Sequence, residues 1–258
     1  MKRLFTIVSF LLLSNIFFAQ SPSAFKDGEW FRFRIHYGPF NASYATMEVN
    51  ETNLGNKEVY HVEGKGKSTG LLHLFFKVDD NYQTYIDKEN GQPYKFIRKI
   101  DEGGYTKDLE IKFDHQDQKA YVYDRKHNEN RVYSIQENVH DMLSAFYYIR
   151  NHIQNDELSP GDEMNLNMFL DGQNMNFRLR FLGKEVVKTK FGKVATLKFR
   201  PFVLAGRVFK EKESLTFWVS DDDNKLPVKI EADLAVGSLD ADLDAYKGLS
   251  HPFRIIMD

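Results

Sequence analysis

Asn138-Val-His-Asp-Met-Leu-Ser-Ala-Phe-Tyr-Tyr-Ile-Arg150 is the stretch whose reading decides the fold. As a helix it sets Met142, Phe146 and Ile149 at i, i+4 and i+7, and Leu143, Ala145 and Tyr147 widen that stripe, so the segment is expected to be buried against a larger apolar surface. Asn138 reads as its N-cap. Asp141 then falls at N3, beside the free amides and the positive end of the dipole, and Arg150 closes the last turn.

Everything around this segment reads as strand. Between Glu29 and Tyr37 the sequence alternates, with Phe31, Phe33, Ile35 and Tyr37 on one face and Arg32, Arg34 and His36 on the other. Further strands are expected at 40–50, 57–67, 71–78, 80–87, 93–102, 105–114, 119–125 and 131–136. After the helix they resume at 162–170, 174–187, 193–202, 207–220 and 226–235. Asn90-Gly91, Gly103-Gly104, Gly172 and Asp221-Asp-Asp-Asn224 supply turn chemistry between them. Gly64 and Gly66 imply a bulge or a close backbone approach. A long flat sheet leaves exposed edges, so this many antiparallel strands must curl or close. The expected fold is therefore mainly β: a curved antiparallel meander or half-open barrel wrapped around one buried helix at about 138–150.

Met1-Lys-Arg3 followed by an apolar run to Phe18 reads as a signal peptide over residues 1–19, too short for a span of about 20 apolar residues. Residues 20–258 are expected to form a single β-rich domain, with its core at about 25–245 and a tail at 247–258. The expected location is the periplasm, with no stable membrane span after processing. No cysteine is present, so neither disulfides nor a lipidated cysteine support the fold. Loss of Lys2 and Arg3 with the leader changes the formal charge from −2 to −4, which does not point to nucleic acid as a partner. The 22 Phe and 13 Tyr provide a stiff apolar core instead.

No motif carries catalysis. None of the eight histidines sits in an HxH or HExxH pattern, and His140 and His152 read as helix-end residues, so no metal or cofactor is expected. Ser144 has no GxSxG surroundings. Asp79-Asp80 and Asp101-Glu102 are strand neighbours whose side chains point to opposite faces. Asp221 to Asn224 is expected to be a solvated turn. Arg98, between Phe96 and Ile100, and Arg200, before Pro201, each need a carboxylate if half-buried, and Asp141 is the expected partner that pins the helix to the sheet.

Gly28-Glu-Trp30, Asp101-Glu-Gly-Gly-Tyr105, the 141–150 helix, Arg200-Pro201, Phe217-Trp-Val-Ser-Asp-Asp222 and Leu226-Pro227 together resemble the exported bacterial proteins of the domain of unknown function 3108 family. The resemblance implies a helix-plugged half-open barrel similar to lipoprotein carriers, with no established activity and no cofactor. The functional expectation is a non-enzymatic periplasmic protein that binds or carries a lipid or acyl ligand in the concave face. The expected lining is Met142, Leu143, Phe146, Tyr147, Ile149, Phe31, Phe33 and Ile35, with Asp141, Arg150, Arg200 and Trp218 as structural residues. The alternative is an envelope scaffold or assembly accessory that has a filled core and a protein partner.

Overall fold

The computed structural model describes residues 23–69, 77–154, 157–202, 215–234 and 236–257. The expected leader lies outside these, as do most of the expected 71–78 strand and the first part of the 207–220 strand. The strands are β1 (Trp30–Tyr37), β2 (Phe40–Leu54), β3 (Lys57–Ser68), β4 (Asp79–Asp87), β5 (Pro93–Glu102), β6 (Tyr105–Asp114), β7 (Lys119–Asp124), β8 (Glu129–Ser134) and β9 (Val139–His140). The helix α1 (Met142–His152) follows, then β10 (Glu163–Leu170), β11 (Gln173–Thr189), β12 (Gly192–Phe202), β13 (Leu215–Ser220), β14 (Pro227–Asp233) and β15 (Ser238–Lys247).

Among the described residues these strands make one open, curved sheet in the order β8-β7-β6-β5-β4-β3-β2-β1-β15-β14-β13-β12-β11-β10-β9. Neighbours in this order pair antiparallel, apart from the short parallel contact of Val139 and His140 with Asn167 and Met168. The chain's first and last strands therefore meet in mid-sheet, from Trp30 opposite Lys247 to Tyr37 opposite Leu239. The two free edges, β8 and β9, are neighbours in sequence. Side chains bridge the seam beside them: Asn174 Nδ2 donates to the Ser134 carbonyl at 2.8 Å, and Asn167 Nδ2 to that of Glu137 at 2.9 Å.

β15 was not expected from the sequence. Leu239, Ala241 and Leu243 do alternate with Asp240, Asp242 and Asp244, but small and acidic residues are weak strand formers and here depend on their neighbours β1 and β14. The tail after β15 is packed: Phe253 joins a core cluster and Ile256 bridges to Lys193.

The helix begins later than expected. Asp141 is the N-cap; its carboxylate accepts from the amides of Leu143 and Ser144, and Ser144 Oγ accepts from the Asp141 amide to complete a capping box. Asn138 sits at φ +51°, before β9, because pairing with β10 keeps the chain extended through His140. Ser144, Ala145, Tyr147, Ile149 and Arg150 are buried, whereas Met142 in the first turn is 39% exposed and leaves the expected stripe. The rest of the helix is apolar on several sides, as a rod surrounded by sheet must be. Ala145 and Ile149 pack on the β10–β13 wall, Tyr147 on Phe25, Val49, Val62 and Ile86, and Phe146 towards Phe31 and Phe33. Gly64 marks a close approach rather than a bulge, because a Cβ there would lie 2.9 Å from Met47 Sδ and 3.8 Å from Leu143.

Candidate functional site

The helix leaves the two ends of the sheet in different states. At the end where β1 begins, the side chain of Arg150 is clamped. Its guanidinium donates to Glu29 Oε1 and Oε2 at 2.6 and 2.8 Å, to the Asn224 carbonyl through Nε at 3.2 Å and through a terminal nitrogen at 2.9 Å, and to the Ala24 carbonyl at 3.2 Å. Arg150 is 2% exposed and Glu29 is fully buried, with the rings of Phe25, Phe146 and Tyr147 within 5.7 Å of the guanidinium carbon. Asn224 is fixed in turn by the tail, since its Oδ1 accepts from the His251 amide and its Nδ2 donates to the His251 carbonyl. Asp222 accepts from Ser220 Oγ and the Asn224 amide, so the 221–224 segment, expected as a solvated turn, is partly core.

The carboxylate that pins the helix to the sheet is thus Glu29, acting on Arg150. Asp141 contributes a separate tie, accepting from Thr84 Oγ1 at 2.6 Å, and does not pair with Arg98 or Arg200 as expected. Burial raises its pKa to about 6, against the lowering effect of the Thr84 bond and the helix amides. Arg98 pairs with Asp171, and Arg200 lies half-buried opposite Arg180 on β11. Trp218 is buried and donates from Nε1 to Glu185 at 3.0 Å, between Lys198 and Lys229.

None of the eight expected lining residues borders either of the two hollows described below. Phe31 and Phe33 touch edge to face at 5.7 Å and pack with Leu226 and Leu243; Tyr147 packs on Phe25, and Ile149 joins Leu197 and Phe199. Leu143, Phe146 and Ile35 are half-buried. Around the helix these side chains divide among three core clusters.

At the opposite end, the concave face of β6, β7 and β8 continues beyond the β10–β11 turn and borders an open hollow of about 320 Å³. Leu109, Ile111, Val122 and Tyr133 give it an apolar floor. Their common orientation follows from register: Ile111 lies opposite Val122, and Ala120, which is buried, lies opposite Tyr133. The turn that bounds the hollow, Asp171-Gly172, has φ +50° and +79°, the two left-handed residues of a type I′ hairpin. A Cβ on Gly172 would stand 3.0 Å from the Tyr133 ring, so glycine also lets the turn close against β8.

Charge gathers at this mouth. Arg98 on β5 and Lys107 on β6 both donate to Asp171 Oδ1, at 2.8 and 2.5 Å. Burial alone would raise the pKa of Asp171; the Lys107 hydrogen bond and the charges of both cations outweigh it and hold the carboxyl below its usual range. Beside Arg98, towards the 103–104 turn, burial and then the charge of Glu102 push Asp80 up to about 6. A larger hollow of about 750 Å³ opens on the other face of β4–β7, among Asn81, Gln83, Ile97, Lys99, Asp108 and Arg125.

Among the described residues no group of three or more His, Cys, Asp or Glu side chains is placed to hold a metal ion. No described helix is long and apolar enough to cross a membrane.

The sequence signal for Glu29 was present: positions 29, 31 and 33 share a strand phase, so a carboxylate stands on the Phe31 and Phe33 face and requires a buried cation. No local signal could place Asp171 against Arg98 and Lys107, because 73 and 64 residues separate the partners.

A family profile described as a protein of unknown function, DUF3108, matches residues 32–244. No curated protein matches the chain in sequence. Among solved structures, the chain is similar to a beta-barrel-like protein of domain of unknown function DUF1849 from Brucella abortus. The two are 9% identical, with a TM-score of 0.57, and the likeness covers 86% of this chain and 98% of that one. It is a likeness of fold. A DUF1089 family protein from Pseudomonas aeruginosa, also 9% identical, aligns over 71% of this chain and 87% of its own with a TM-score of 0.36.

Proposed function

We propose that this chain, which belongs to the DUF3108 family, is a non-catalytic binding or carrier protein that holds an acyl or other apolar ligand in the open end of its concave face. It acts as one β-rich unit in the periplasm after losing its leader. The observation that carries this reading is the hollow of about 320 Å³ floored by Leu109, Ile111, Val122 and Tyr133. That volume lies at the small end of the ~300–1,000 Å³ typical of ligand sites. Burying about eight methylenes there yields roughly 6 kcal/mol, an affinity of tens of micromolar before any polar contact is counted. A binding role rather than a catalytic one is supported by the way the mouth's polar groups are engaged with each other: Asp171 with Arg98 and Lys107, and His127 with Asp124 at 2.8 Å.

The packing of Phe31, Phe33 and Tyr147 into core clusters around the helix supports a second reading, an envelope scaffold that has no small-molecule ligand and docks a protein partner. Lipid extraction of the purified protein followed by mass spectrometry separates the two, together with titration of an environment-sensitive hydrophobic dye. The carrier yields a bound acyl species and takes up dye, and Val122→Trp, which fills the hollow, abolishes both. A ligand-free protein that takes up no dye refutes the carrier and leaves the scaffold.

A further inference from the structure

At the rim of the hollow, Lys107 from its lining and Arg98 from just outside it share a single carboxylate oxygen of Asp171, and this indicates what kind of ligand head it receives. Resting on the carrier reading above, we propose that the ligand is an anionic amphiphile, whose head takes the place between Arg98 and Lys107 that the Asp171 carboxylate holds in the empty protein.

Arg98 and Lys107 stand on adjacent strands, Arg98 opposite Leu109 and Lys107 opposite Ile100, so both project from the concave face directly beside the apolar floor. Their side chains are 15% and 23% exposed. Asp171 is the most exposed of the three, at 46%, and arrives on a two-residue hairpin tip rather than within a strand. It is the partner with somewhere else to go. It also satisfies the cations incompletely. Oδ1 accepts from both, and the buried Nε–H of Arg98 has no acceptor among the described residues. A guanidinium presents donors in a planar fork suited to two oxygens at once, so a carboxylate or phosphate head engages Nε as well as a terminal nitrogen.

The charge count gives the sign of the head. An anion that takes the place of Asp171 keeps both cations paired, with Asp80 also beside Arg98 on the side of the 103–104 turn. A neutral head in the same place strands two half-buried cations, and a cationic head meets them directly. The chain of such a ligand then runs from Lys107 onto Leu109, Ile111, Val122 and Tyr133, which share one face and line one hollow.

The test uses the full delipidated protein, a fluorescent polyene fatty acid and the alcohol of the same chain. The acid is expected to bind about tenfold tighter than the alcohol, the worth of one charge-assisted hydrogen bond. Asp171→Asn, which removes the competitor, tightens the acid severalfold and leaves the alcohol unchanged. Lys107→Met weakens the acid about tenfold and leaves the alcohol unchanged. Equal binding of acid and alcohol, with neither variant changing their ratio, overturns the anionic head and leaves the carrier reading standing. Failure of both probes to bind overturns the carrier reading itself. Displacement of the acid by inorganic phosphate or acetate at concentrations equal to the acid's own overturns the amphiphile in favour of a bare-anion site.

Discussion

Replacing Glu29 by Gln keeps the size of the side chain and removes its charge, which makes it a direct test of what holds α1 in place. The wild-type carboxylate takes two hydrogen bonds from Arg150, at 2.6 and 2.8 Å, in a site where neither residue reaches solvent. A glutamine turns one of its two oxygens into a donor that faces a guanidinium, itself a donor only, and leaves a cation whose remaining partners are the carbonyls of Ala24 and Asn224. Breaking a buried pair from one side costs about 3–5 kcal/mol, a large part of the ~5–15 kcal/mol that stabilises a domain. With a urea dependence of about 3 kcal/mol per molar, the unfolding midpoint falls by roughly 1–1.7 M, read from the fluorescence of Trp30 and Trp218. Arg150→Met alone is expected to cost a similar amount by stranding the anion. The double variant Glu29→Gln/Arg150→Met strands no charge and is expected to lose at least ~2 kcal/mol less than the two single losses added together. A Glu29→Gln protein within about 1 kcal/mol of wild type, or single losses that simply add, refutes the claim that this pair is the helix's main anchor.

Stability is also expected to depend on pH through Asp141. Its folded value of about 6 lies above the ordinary 3.8, so the folded state holds the proton more tightly. The resulting stability is fully present below about pH 3.8 and lost as pH rises past about 6, a change of roughly 3 kcal/mol. Asp141→Asn keeps the cap acceptor for Leu143 and Ser144 and is expected to flatten that part of the pH profile in urea unfolding; an unchanged slope contradicts this assignment. Phe31→Ala removes a fully buried ring and is expected to cost about 3–5 kcal/mol, whereas Met142→Ala, at an exposed position, costs under about 1 kcal/mol. Thermal or urea unfolding of the two variants checks the order, and equal losses contradict the burial of the first against the second.

The fold was readable because its two signals are local. The alternation of Phe31 and Phe33 and the apolar stripe from Leu143 to Ile149 each need only a few neighbouring residues, and a curved sheet around a helix follows from having both. The helix start was misplaced by the competition between two sensible caps, Asn138 and Asp141. A parallel contact with β10, 28 residues further on, decided it. The hollow at the mouth lay beyond reach for the same reason: it exists because β6–β8 extend past a turn at 171–172, a consequence of strand stagger that no single segment encodes. The eight expected lining residues followed from the helical stripe at 142–149 and the strand face of Phe31, Phe33 and Ile35, and the structure distributes them over several packed clusters.

The pairing of β1 with β15 bears on how the chain is made. Residues 30–134 and 139–247 are two arms, each a succession of neighbouring contacts, stitched together where the earliest strand meets the latest and where Glu29 reaches Arg150. A ribosome releasing this chain has delivered every piece of the first arm before its principal partner exists, so final assembly waits for synthesis to end. By the same logic, a polypeptide cut within 135–138 has lost a tether and no strand, and two separately produced halves are expected to find each other and restore the seam.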